Sequence, residues 1–126
     1  MPSHASAPST IDRWLPFAVS AIVTGIFFID VCNWWFACGC RSLWAGAAAA
    51  CNVHAATAPH CPFCARGIPG YAFIFVVVCA PQMAFAFGTR WSRTLRTLGC
   101  LALFPATMIA LAMVMGWYDG YWRHVV

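Results

Sequence analysis

Residues 69–88 read PGYAFIFVVVCAPQMAFAFG, twenty positions without one formal charge. At about 1.5 Å of rise per residue, a helix of that length covers about 30 Å, the thickness of a bilayer's hydrocarbon layer. Pro81 lies well inside the run and is expected to kink the helix, as membrane helices tolerate. Residues 98–117, LGCLALFPATMIALAMVMGW, repeat the pattern with Pro105 in the first half. Residues 14–36, WLPFAVSAIVTGIFFIDVCNWWF, form a third such run whose one charge is Asp30. Ile11-Asp12-Arg13 marks its polar edge, and Pro16 falls in the first turn, where a missing N–H costs little. Trp14 and the pair Trp34/Trp35 fit the interfacial belts of this span, and Trp117, Tyr118, Tyr121 and Trp122 form an aromatic exit to the last.

Composition supports the same class. The chain of 126 residues is 63% hydrophobic and 8% charged, against about 25% charged for a soluble domain. So few charges do not cover a water-facing surface. All seven basic residues are arginine, and the formal charge of +4 is scattered. That is no footprint for nucleic acid. The expected fold is an all-α integral membrane protein of three transmembrane helices, with a Cys/His-rich cap between helices 1 and 2. Residues 1–12, rich in Pro, Ser and Ala, are expected as a disordered tail. Residues 13–126 are expected as one membrane domain, with spans at 14–36, 69–88 and 98–117 and the cap at 37–68. The tail lacks the basic start of a signal peptide, and the apolar stretch after it outruns the usual h-region.

Orientation follows from arginine. The short link between the second and third spans holds Arg90, Arg93 and Arg96. Short loops rich in basic residues stay cytoplasmic. The N-terminus with Arg13 is therefore expected inside, and the cap and C-terminus on the outer side.

The cap carries the chemistry. Cys38-Gly39-Cys40, Cys51-Asn52-Val53-His54 and His60-Cys61-Pro62-Phe63-Cys64 place five cysteines and two histidines within 27 residues. Arg41 is the only formal charge between Cys38 and Cys64. Ser42 is positioned to cap a short helix through the alanine run 47–50, which would set Cys51 and His54 on one face. Thr57-Ala58-Pro59 would break it. Three readings fit this loop. Zinc and copper(I) favour thiolate and imidazole, and closely spaced pairs supply two ligands from one turn. Cys38, Cys40, Cys51, His54, His60, Cys61 and Cys64 are the candidate ligands, and bound metal would order a charge-poor loop. The histidines weigh toward this reading, because disulfides have no use for them. Disulfides are the second reading, since cysteines pair in oxidising compartments. Cys32, at the same end of the first span, brings the count to six. The third is thiol exchange through Cys61-Pro62-Phe63-Cys64, a CxxC frame a few residues before the second span. No Ser-His-Asp, P-loop, paired-carboxylate or CxxCH pattern is present, and a non-enzymatic role is the expected one unless CPFC carries thiol exchange.

In general plan, three spans with cysteine pairs outside them, the chain resembles the mercuric-ion transport proteins. It lacks their adjacent cysteine pair in the first span, so no residue role is carried over. Three spans leave little room for a transport path in a monomer. Partners beyond the lipid bilayer are expected to be other membrane helices, either copies of this chain or a larger complex for which it is an accessory subunit. Asp30 is expected near the outer interface within reach of Asn33 and Arg41. Cys79, Met83 and Met108 are a candidate soft-ligand ladder, weighed against ordinary packing. Gln82 is expected to hydrogen-bond a carbonyl freed by Pro81 or a neighbouring helix.

Overall fold

The computed structural model describes residues 7–57 and 59–125, in helices and turns with no strand among them. Residues 1–6 of the expected tail, Ala58 of the expected helix break, and Val126 lie outside the described residues. Helix α1 is Thr10–Phe36, α2 is Gly67–Gly88, α3 is Arg93–Tyr118 and α4 is the short Tyr121–Val125. The first three are long and apolar enough to cross a membrane.

Each long helix starts earlier than hydropathy alone places it, and local chemistry explains two of the starts. The Ser9 hydroxyl accepts the Asp12 N–H at 3.2 Å, and the Asp12 carboxylate accepts the Ser9 N–H at 3.2 Å. This capping box satisfies two orphan amides, so the expected tail ends at Ser9 and not at residue 12. In α3 the Ser92 hydroxyl accepts from the Leu95 N–H at 3.4 Å, so the helix begins among the arginines.

The three helices meet along seams that advance four residues at a time. Pro16, Ser20, Thr24, Phe28, Cys32 and Phe36 are buried on α1. Ile74, Val78, Gln82 and Ala86 form the seam of α2, and Arg96, Cys100, Phe104, Met108, Ala112 and Gly116 that of α3. Side chains four apart form a ridge along a helix, the row that packs into a neighbour's groove. The opposite faces stay open, with Ile22, Phe73, Val76, Met113 and Val114 all exposed.

The interior is polar at mid-height. Ser20 donates to Gln82 Oε1 at 2.5 Å, Gln82 Nε2 donates to Thr24 Oγ1 and to Val78 O at 3.1 Å each, and the Cys100 thiol donates to Gln82 O at 3.3 Å. Gln82 therefore ties α1 to α2, the second of the two roles expected of it. The soft-ligand ladder does not form. Met108 is buried, but Met83 is 41% exposed on the outer face of α2.

The two ends of the bundle differ. At one end the buried Arg96 donates to Asp12 O at 3.0 Å and to Trp91 O at 2.9 and 3.1 Å. Arg93 pairs with Asp12 and Arg13 donates to Phe87 O, so the arginine link is latched to the start of α1. At the other end the cap sits against α4. Tyr121 Oη donates to Phe36 O at 2.8 Å, and Arg66 holds Asp119 through two hydrogen bonds of 2.9 Å.

Candidate metal centre

The cap is built of tight turns, not the helix expected over residues 43–50. Leu43–Ala45 and Ala47–Ala50 are separate 3-10 turns, divided at Gly46 with φ of 111°. Ser42 does not cap them. Its hydroxyl donates instead to Asp30 Oδ1 at 2.5 Å, while Arg41 is exposed and makes no ion pair with Asp30. Asn33 is drawn elsewhere, accepting the Gly39 N–H at 2.9 Å.

These turns bring together sulfurs from four places in the chain. Cys32 comes from the last turns of α1. Cys38 and Cys40 follow a sharp reversal, with Ala37 at φ 49° and Gly39 at φ 85°. Glycine at position 39 is required twice over, because a Cβ there would lie 2.7 Å from Ala50 O as well as demanding a left-handed backbone. Cys51 sits in extended backbone between two turns. Cys61 and Cys64 flank Pro62 and Phe63, both fully buried. The Phe63 ring packs on Phe28 at 6.0 Å and Phe36 at 5.2 Å, which anchors the CPFC turn between the helices.

Asn52 joins the pieces. Its N–H donates to Cys38 O at 2.7 Å, its Oδ1 accepts the Cys61 N–H at 2.7 Å, and its Nδ2 donates to Tyr121 Oη at 3.1 Å. One residue, through its backbone and its side chain, thus sets the CGC segment against the CPFC turn and both against α4.

The result is six cysteines, Cys32, Cys38, Cys40, Cys51, Cys61 and Cys64, each between 0% and 6% exposed. Their sulfurs fall in three triads, each mutually within 4.8 Å: Cys32/Cys38/Cys61, Cys38/Cys40/Cys51 and Cys51/Cys61/Cys64. Cys32 and Cys61 are 3.4 Å apart and Cys40 and Cys64 are 3.7 Å apart. A disulfide closes to about 2.05 Å, and all six thiols are free. Sulfurs around a tetrahedral zinc stand roughly 3.5–4 Å apart, the edge implied by a bond of about 2.3 Å. Tyr71 Oη lies 2.9 Å from the Cys64 sulfur and supplies a hydroxyl partner to it.

The structure does not bring His54 or His60 to the sulfurs. His54 Nε2 lies 3.1 Å from Ala48 O and His60 Nε2 lies 3.0 Å from Ala55 O, and both residues are exposed. The helical face expected to pair Cys51 with His54 does not form, because extended Cys51 separates the 3-10 turns Ala47–Ala50 and Asn52–His54. Of the seven residues expected as ligands, the five cysteines are brought together, joined by Cys32, and the two histidines are not among them. Cys32, weighed from sequence only as a sixth partner for disulfides, is the residue that reading missed as a ligand. Its four-residue spacing from Phe28 and Phe36 was the available signal, since it puts Cys32 on the inner face at the cap end.

Thiol acidities follow position within the cluster. The Cys32 and Cys61 thiols beside it lower Cys38 to about 6. Burial raises Cys51 to about 11, and burial followed by the neighbouring Cys51 thiol pushes Cys40 up as well. Such an arrangement presents soft donors with no carboxylate among them, all on buried residues. Thiol exchange needs an accessible thiolate, and in CPFC Cys61 is 0% and Cys64 6% exposed.

No family model matches this chain, and neither a curated protein nor a solved structure matches it.

Proposed function

We propose that the chain is a small integral membrane protein whose cap holds a thiophilic transition metal, zinc or copper(I), through thiolates alone. The observation that carries this reading is the burial of six unbonded sulfurs at ligand-to-ligand separations. Thiolate-only sets suit copper(I) and zinc, and harder metals prefer oxygen. Burial favours a structural or storage role over hand-on, because no ligand is exposed for exchange. The metal would also stabilise a cap that has little secondary structure of its own.

Membrane insertion belongs to the same proposal and rests on the three apolar helices. So does the orientation with the arginine link inside. Only 22–28% of each span's apolar window is buried within the chain, which leaves most of that surface for lipid or for other membrane helices.

The test is metal analysis of protein purified from membranes under reducing conditions. Wild type is expected to carry zinc or copper, Cys38→Ser and Cys61→Ser to lose most of it, and His54→Ala and His60→Ala to keep it. Metal-free protein would sink the reading. A second reading has one observation in its favour: the close pairs Cys32/Cys61 and Cys40/Cys64 leave Cys38 and Cys51 as a third, so three disulfides would use every cap cysteine. It predicts thiols that resist alkylation until reduced.

A further inference from the structure

One metal ion does not use this cluster. A tetrahedral zinc takes four thiolates, and copper(I) takes two or three. Six sulfurs are present, and their contacts interlock. Cys38, Cys51 and Cys61 each belong to two of the three triads, whereas Cys32, Cys40 and Cys64 each belong to one. Three triads joined at shared corners trace a ring. The Cys40–Cys64 approach of 3.7 Å runs between two terminal members and keeps that ring compact.

We infer, on the reading that the cap binds metal at all, that it holds a thiolate-bridged cluster of two or more ions. Cys38, Cys51 and Cys61 are the bridging ligands, and Cys32, Cys40 and Cys64 are terminal. With copper(I), one ion in each triad gives every metal three sulfurs, each bridge serving two metals and each terminal thiolate one. With zinc, two of the Cys38, Cys51 and Cys61 thiolates bridge two ions and the third ligates one ion, which completes two tetrahedra. Every thiol that ligates releases its proton to solvent. Charge does not oppose the larger nuclearity: two divalent ions on six thiolates leave the same net charge as one divalent ion on four, so the second ion adds no uncompensated buried charge. Arg66, the cation that follows CPFC, is already committed to Asp119.

The experiment titrates the full reduced chain in detergent with zinc, or with copper(I) delivered from a competing chelator. Native mass spectrometry then counts ions per chain, and X-ray absorption reports the metal's neighbours. The expected result is two or more ions per chain with a metal–metal scattering peak. A single ion with sulfur neighbours only would overturn the cluster and leave the metal reading intact. No binding would overturn both. Cys51→Ser, which removes one of the bridges, should weaken the metal–metal peak, whereas Cys32→Ser should keep it at full strength with fewer sulfur neighbours. Equal effects of the two substitutions, in protein that still folds, would overturn the division into bridges and terminal ligands.

Discussion

Asn52 shows how one residue outside the thiol set governs it. Its carboxamide satisfies the Cys61 amide and reaches Tyr121, and its backbone amide holds the Cys38 carbonyl. Asn52→Ala removes the carboxamide partners and leaves the largely buried Cys61 amide without an acceptor, a loss of about 1–3 kcal/mol. The expected outcome is a lower melting temperature and weaker metal retention, while Asn52→Asp, which keeps the acceptor, loses less. Metal content equal to wild type in Asn52→Ala would contradict this. Acidity gives a second expectation at the same scale. The neighbouring Cys32 and Cys61 thiols lower Cys38, but burial raises Cys51 and Cys40, which hold their protons more tightly. Ligation must expel those protons, so binding tightens as pH rises and weakens as it falls. Calorimetry in buffers of different ionisation heat should detect net proton release at pH 7, and heats independent of buffer would refute it. Neither Asn52 nor the loss of the histidines was legible in sequence, because an asparagine in a loop and a histidine beside a cysteine acquire meaning only from what faces them.

Among elements, the bundle and the cap are stabilised by different means and should fail separately. The seams of α1, α2 and α3 follow four-residue spacing and meet around Gln82. Interhelical hydrogen bonds of this kind in membranes contribute about 0.6 kcal/mol each. Gln82→Leu should therefore lower resistance to denaturant by about 1 kcal/mol while metal content is unchanged. Gly39→Ala should do the reverse. A left-handed backbone in a residue other than glycine costs about 1–3 kcal/mol, and here the new methyl would also strike Ala50 O. Circular dichroism should still report a helical protein, but metal occupancy should drop. If Gly39→Ala kept full occupancy, the reversal at Cys38-Gly39-Cys40 would not be what aims those thiols. The long helices were legible from hydropathy alone, although their starts were not. Capping by Ser9 and Ser92 draws polar residues into α1 and α3 that a hydropathy reading assigns to tail and link.

Taken whole, the molecule has a thiol end and an arginine end. Asp119, Tyr121 and the cap lie together, held by Arg66 and Asn52. Arg96, Arg93 and Asp12 lie together at the other. The topology proposed from this predicts that reporters fused at residue 56 and at the C-terminus lie on one side of the membrane. A reporter in the arginine link should lie on the other. Reporters at residue 56 and the C-terminus on opposite sides would exclude three spans, and both on the cytoplasmic side would reverse the orientation only.

By itself, the sequence determined three apolar helices and a cysteine-rich segment between the first two. Both are sums over neighbouring residues: charge-free length sets a spanning helix, and ligand density marks a site. Tertiary structure alone decided which ligands meet. Cys32 joins the cluster because α1 delivers it on an inner seam, 29 residues before Cys61, and His54 and His60 leave it because the 3-10 turns carry their rings to backbone carbonyls at the surface. Convergence depends on the sign of φ at Ala37, Gly39 and Gly46 and on Asn52 bridging distant strands of the loop. Those are relations across space, and residue spacing along the chain does not encode them.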